Sequence, residues 1–173
     1  MAVKYAKPKG TQDILPDASG SWLHLEEQLR RCGVRCAQVR CADASVFDET
    51  LPAADGVLCD VPCSGTGTLS KKPDIRYKDL KEMEALPQLQ LQILRNQAKY
   101  VKAGGVLIYS TCTLVRAENE GVVEQFLAEN DEFHTEPLPL PDIFPKNESG
   151  MLALVSGEYD TDGFFICRLR RKV

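Results

Sequence analysis

Apolar residues fall along this chain in short blocks, separated by polar breaks rich in glycine and proline. Residues 1–20 read as loop, punctuated by Pro8, Gly10, Pro16 and Gly20. Trp22, Leu25 and Leu29 then recur at helical spacing behind a possible Ser19 or Ser21 cap, predicting a helix over Trp22–Arg31 that Gly33 stops. Val34–Ala42 predicts a strand, and Gly56–Val61 a second, nearly all-apolar one. A Gly/Ser/Thr loop follows at Ser64–Ser70. A helical pattern then runs from Lys78 to Val101, with Pro87 expected to break or start that helix. Ala103-Gly104-Gly105 reads as a turn, and Val106–Ser110 as a third buried strand. Glu118–Asn130 is amphipathic, with Val122, Val123, Phe126 and Leu127 on one helical face. A proline-rich loop from Pro137 to Pro145 and a last apolar strand, Gly163–Leu169, complete the series.

Strands alternating with helices argue an α/β fold around a parallel sheet. The apolar runs lack strict alternation, which suits strands buried on both faces. No internal repeat or low-complexity tract interrupts the pattern.

Length and composition narrow the class. The chain has 173 residues, enough for one domain with a small appendage, and is 43% hydrophobic and 27% charged, as ordinary globular proteins are. No apolar run approaches the roughly 20 residues of a membrane span. No basic start followed by an apolar segment marks a secretory leader, so the cytoplasm is the expected compartment. A net charge of -4 gives no global attraction for a polyanion; contact with nucleic acid requires a local basic patch. Seven cysteines in a reducing compartment are expected as thiols or ligands rather than disulfides.

Two cysteines stand apart. Asp60-Val61-Pro62-Cys63-Ser64-Gly65-Thr66-Gly67 places an acid and a thiol where a buried strand gives way to a glycine loop, and Ser110-Thr111-Cys112-Thr113 ends the next strand in the same way. In open α/β sheets ligands bind at the carboxyl ends of strands, so both thiols and the carboxylate are expected in one crevice. A thiolate there suits covalent catalysis on a pyrimidine. Added to carbon 6 of cytosine, it makes carbon 5 nucleophilic enough to accept a methyl group. The carboxylate can hydrogen-bond the pyrimidine edge, and the second thiol can help expel the first.

From about Val34 onward the chain resembles the RsmB/Nop-type (Fmu, NSUN) family of RNA 5-methylcytosine methyltransferases. The matching pieces are Ala42-Asp43-Ala44, Asp60–Gly67, Lys72-Pro73-Asp74-Ile75-Arg76-Tyr77, Gly104-Gly105, Tyr109–Thr113, Glu118-Asn119-Glu120 and Thr161-Asp162-Gly163-Phe164-Phe165, in family order. The resemblance implies a Rossmann-like class I fold, S-adenosylmethionine as cofactor, and ribosomal or transfer RNA as partner. It implies that Cys112 is the nucleophile and that Cys63 assists product release. It also implies that Asp60 contacts cytosine and the methyl-donor end of the cofactor, with Asp43 near the adenine. The family usually has alanine where Val61 stands.

The family's Ala-Pro-Gly-Gly-Lys-like loop and a second-strand acid are expected before Val34, and neither is found there. The fold is therefore expected to be incomplete, lacking its first two strands and its glycine loop, with sheet edges exposed for self-association. Residues 1–31, through Lys7-Pro8-Lys9-Gly10-Thr11-Gln12-Asp13-Ile14-Leu15-Pro16, Trp22 and Glu26, resemble the opening of a histidyl-tRNA synthetase. The chain thus divides into 1–31 and 32–173 and reads as a fusion. A non-catalytic fusion or fragment is the alternative to an active enzyme; a synthetase-related protein is a weaker one, with no class II motif behind it.

Several other features have competing readings. Lys71, Lys72 and Arg76 are candidate RNA-phosphate contacts, against a solvated loop. Arg168–Lys172 is a strand end entering a basic tail, and Asp43 alternatively caps a turn. Cys59 and Cys167 fit core positions. Cys32-x-x-x-Cys36 and Cys59-x-x-x-Cys63 have spacings open to zinc, although no metal is expected. The Ser64–Gly67 loop lacks the lysine of a P-loop. His24 and His134 have no partner motif and are expected at the surface.

Overall fold

The computed structural model describes residues 4–5, 27–77, 79–145 and 147–173. Most of the segment resembling a synthetase, including His24 and the first half of the predicted Trp22–Arg31 helix, lies outside the described residues. Its end is seen as a helical turn, α1, at residues 27–31. The strand expected over Val34–Ala42 contracts to β2 (Arg40–Cys41), which pairs in parallel with β1 (Lys4–Tyr5). A strand lasts only as far as a neighbour takes up its backbone hydrogen bonds. Among the described residues, 32–39 have no such neighbour.

The main sheet has five strands. β3 (Ala54–Asp60) runs parallel to β4 (Val101–Thr111), with Asp60 opposite Ser110. β4 pairs antiparallel with β7 (Phe164–Arg171), and β7 also carries the short strands β5 (Phe133–Thr135) and β6 (Met151–Leu154). The sheet is therefore mixed, correcting the all-parallel expectation. β3 and β4 are joined by a crossover helix, as a parallel pair requires, whereas β7 returns antiparallel to β4 after a connection that carries another helix and the short strands β5 and β6. The Ala103–Gly105 turn proves to be an irregularity within β4, where the register shifts and Gly104 takes a positive φ of 72°.

That crossover helix, α2 (Leu80–Ala98), contains Pro87 without ending there. An interior proline costs about 3 kcal/mol. Burial of Leu91, Ile93, Leu94 and Ala98 beyond it offsets that cost. α3 (Glu120–Glu129) buries Val122, Val123 and Phe126, as the amphipathic pattern predicts. The two helices cover the sheet face formed by Cys59, Leu107, Tyr109, Phe165, Cys167 and Leu169.

The opposite face is less covered. Leu58 is 41% exposed and Asp60 is exposed, so β3 is not buried on both sides as its composition suggested. Among the described residues no strand pairs with the outer edge of β3. None of the described helices is long and apolar enough to cross a membrane.

Candidate active site

Two loops leave the parallel pair β3 and β4 at the same end. The first, residues 61–68, begins where Val61 N–H donates to Ser110 O at 3.2 Å and turns through Gly65, whose φ is 77°. The second follows Thr111 and leads to α3. Gly67 joins them: its N–H donates to Cys112 O at 3.0 Å, and its carbonyl accepts from Gly163 N–H at 2.8 Å. A Cβ on Gly67 would lie 2.2 Å from Gly163 O, so only glycine permits this backbone approach.

The approach brings Cys63 Sγ to 3.3 Å from Cys112 Sγ, although the residues are 49 apart in the chain. Both are half-buried. At this distance the two thiols form a sulfur–sulfur hydrogen bond. The hydrogen bond from Cys63 lowers the Cys112 pKa to about 6; the Cys112 backbone and the charge of Lys72 act in the same direction, while burial and the Asp60 charge oppose them. The same hydrogen bond, together with burial, pushes Cys63 well above the usual thiol range. Lys72 and its lesser burial make Cys112 the thiolate of the pair.

Asp60, at the end of β3, accepts a hydrogen bond from Ser110 Oγ at 2.8 Å and faces solvent. The strand ends thus bring three sequence candidates, Asp60, Cys63 and Cys112, to one mouth. Asp43 sits elsewhere, beyond β2, in a turn that it caps: its Oδ1 accepts from Ser45 N–H at 2.9 Å and from Ser45 Oγ at 2.6 Å. Asn96 and Gln97 of α2 anchor that turn by donating to Ala44 O.

The basic candidates separate. Lys71 is paired with Asp162 at 2.8 Å, Lys72 acts on Cys112, and Arg76 is exposed on a 3-10 turn over Pro73–Tyr77. The basic tail is partly paired within the protein: Arg168 and Arg170 both meet Glu136 at 2.8 Å, and Arg171 donates to Val101 O at 2.6 Å. Cys59 and Cys167 are buried in the core; burial pushes Cys167 to about 12 and Cys59 higher. Cys59 and Cys63 thus serve different surroundings, and Cys32 and Cys36 are both exposed. Among the described residues no cluster of metal-ligating side chains forms. His134 is exposed on β5.

Sequence reasoning assigned no role to Gln90, Thr111, Thr113, Glu118 or Asn119. All are buried around the two thiols. Gln90 Nε2 donates to Pro62 O at 2.9 Å and to Glu118 Oε2 at 2.8 Å. Ser64 N–H also donates to Glu118 Oε2, at 2.8 Å. A polar residue beside Leu91 and Leu94 on the apolar face of α2 was the available signal for Gln90.

The chain matches the family described as 16S rRNA methyltransferase RsmB/F over residues 17–170. It is 37% identical over 155 residues to a probable ribosomal RNA small subunit methyltransferase B of Bacillus subtilis, covering 86% of this chain and 35% of that protein. Against the ribosomal RNA small subunit methyltransferase B of Thermus thermophilus, identity is 44% over 119 residues, or 68% of this chain and 29% of that one. The chain thus spans about a third of the length of the curated relatives it matches. Its structure resembles NSun6 from Pyrococcus horikoshii, solved with SFG, at a TM-score of 0.75 and 31% identity over 90% of this chain and 40% of that one. A methyltransferase homologue of the same organism gives 0.68 and 26%, over 86% of this chain and 49% of that one. The α/β architecture is therefore of the Rossmann-like methyltransferase type, and the chain belongs to the RsmB/F family of 16S rRNA methyltransferases.

Proposed function

We propose that this chain carries the cysteine-bearing part of a cytosine-5 methyltransferase site that acts on small-subunit ribosomal RNA. The observation behind this reading is the 3.3 Å contact between Cys63 and Cys112, which lowers the Cys112 pKa, beside the end of the strand bearing Asp60. A low-pKa thiolate in a half-buried cleft is a prepared nucleophile. The names of the relatives support ribosomal RNA as the substrate.

S-adenosylmethionine is the methyl donor in this reading and supplies an electrophilic methyl group. The described residues fit part of it. Leu58 and Asp60 share the open face of β3, giving an apolar side chain and a carboxylate for an adenine ring and a sulfonium. Asp43 lies just past β2 of the separate two-stranded sheet, with Oδ1 committed to Ser45. Among the described residues no glycine turn joins a strand to a helix N-terminus to receive the rest.

Cys112 sulfur adds to carbon 6 of cytosine, and the displaced electron pair activates carbon 5 toward the methyl group. Bond formation quenches the Cys112 charge, and with it the hydrogen bond that held the proton on Cys63. Cys63 then releases that proton to the open mouth and takes the proton from carbon 5. The carbon–hydrogen pair restores the ring double bond while the Cys112 sulfur–carbon bond breaks. Asp60, oriented by Ser110, accepts from the exocyclic amine of the base.

The test incubates the protein with a small-subunit ribosomal RNA fragment and S-adenosylmethionine, and reads a denaturing gel. Cys63→Ala should accumulate a slow-migrating protein–RNA adduct, whereas Cys112→Ala should form none and transfer no methyl group. An adduct or undiminished turnover from Cys112→Ala overturns the assignment. A second reading is favoured by the outer edge of β3, with which no strand pairs among the described residues: a fragment that holds the cysteine cleft without completing a cofactor site. No adduct and no transfer from any of the three proteins supports it.

A further inference from the structure

We propose that the adjacent residues Glu118 and Asn119 act as a paired clamp that sets the Cys63–Cys112 distance, one residue gripping each cysteine loop. The proposal rests on the cysteine chemistry above, and it assigns these two as positioning residues.

Each cysteine is held by the residues that flank it. On the Cys63 side, Pro62 O accepts from Gln90 Nε2 at 2.9 Å, and Ser64 N–H donates to Glu118 Oε2 at 2.8 Å. On the Cys112 side, Thr111 Oγ1 donates to Asn119 Oδ1 at 2.6 Å, and Asn119 Nδ2 donates to Thr113 O at 2.9 Å. The halves are cross-linked: Ser64 Oγ lies 2.7 Å from Thr113 Oγ1, which also reaches Glu118 Oε1 at 3.4 Å. Tyr109 fixes the clamp itself, donating to Glu118 O at 2.6 Å.

Three observations set this apart from ordinary core satisfaction. Glu118 is 1% exposed, yet its recorded partners are an amide N–H, a carboxamide and a hydroxyl, none of them charged. A buried carboxylate is costly, and an apolar side chain packs there more cheaply. Asn119 occupies the N-cap of α3, but its side chain makes no capping bond and turns to the cysteine loop. Gln90 Oε1 is buried without a partner among the described residues, so this side chain is oriented by its donor side. All three residues give up local satisfaction to hold the two loops together.

The experiment uses the full chain with Cys32 and Cys36 replaced by serine, without RNA or cofactor, well below its melting temperature. Diamide, which accepts two hydrogens as two thiols become a disulfide, measures how fast Cys63 and Cys112 pair; peptide mapping identifies the bond. Iodoacetamide alkylation against pH gives the Cys112 midpoint. Glu118→Ala should slow pairing about tenfold, since displacements near 1 Å change reaction rates by that order or more. It should also raise the Cys112 midpoint, because the Cys63 hydrogen bond slackens. Glu118→Gln should retain both values, since one amide oxygen can accept from Ser64 and Gln90 while the amide nitrogen donates to Thr113. Asn119→Asp keeps the acceptor for Thr111 but replaces the bond to Thr113 O by repulsion between two oxygens, and should slow pairing from the other side. A purely structural role changes melting temperature and leaves both thiol readouts at parent values. That result in folded Glu118→Ala, or in folded Asn119→Asp should the former not fold, overturns the proposal. Failure of methyl transfer bears on the proposed function alone, because neither thiol readout involves RNA.

Discussion

Cys59 and Cys167 lie inside strands β3 and β7, while Cys63 and Cys112 lie just past the ends of β3 and β4. Cys59 and Cys63 lie only four residues apart, yet they differ sharply in chemistry. Inside the sheet, burial dominates and drives both thiols up, Cys167 to about 12, with the Asp60 charge adding to the rise at Cys59. Past the strand ends, a second thiol, Lys72 and an open mouth replace the apolar wall, and Cys112 falls to about 6. Where a strand stops decides whether a thiol is packing material or a reagent.

The largest expected effect is in native alkylation. At pH 7 Cys112 should react about a thousandfold faster than Cys59 and Cys167, since a thiolate attacks and a buried thiol does not. Isotope-coded iodoacetamide with peptide mapping reads all the sites together. Comparable rates for Cys112 and Cys167 in folded protein would erase the distinction.

A smaller effect tests the cause. Cys63→Ala removes the leading influence that lowers Cys112, so its alkylation midpoint should climb from about 6 to the ordinary thiol range. Because the thiolate exists only above the midpoint, its fraction at pH 7 should fall by about tenfold or more. A midpoint that stays in place would assign the depression to Lys72 and the backbone instead.

The smallest effect concerns stability. Cys167→Ser places a hydroxyl in a fully buried apolar site and should cost about 1–3 kcal/mol in urea denaturation. Cys63→Ser, in a half-buried polar cleft, should cost less than about 1 kcal/mol. Equal losses would show that the cleft is packed as tightly as the core.

Much of this arrangement was legible from residues alone. Asp60 and Cys63 following an apolar run, and Cys112 ending another, placed the thiols at strand termini, where the structure has them. The apolar face of α3 was equally plain. Strand direction was not, because the period-two pattern of β7 is the same read in either sense. β5 and β6, at three and four residues, are too short to carry a period. Pro87 argued locally for a helix end and was overruled by burial further along α2. Glu118 stood in a matched Glu-Asn-Glu string, but nothing local reveals that a carboxylate reaches back to Ser64, 54 residues earlier.

The contact of Gly67 with Cys112 and Gly163 also has a consequence for folding order. The cleft is tied by bonds from three widely separated stretches of chain: residue 67, residue 112 and the start of the last strand. Closing such loops is entropically unfavourable and is repaid only once the distant partner arrives, so pairings of this kind form late. During synthesis, the bond from Gly163 to the Gly67 loop cannot form until residue 163 has emerged. That tie is therefore a late one, made as β7 docks onto β4 and closes the sheet over the cleft loops.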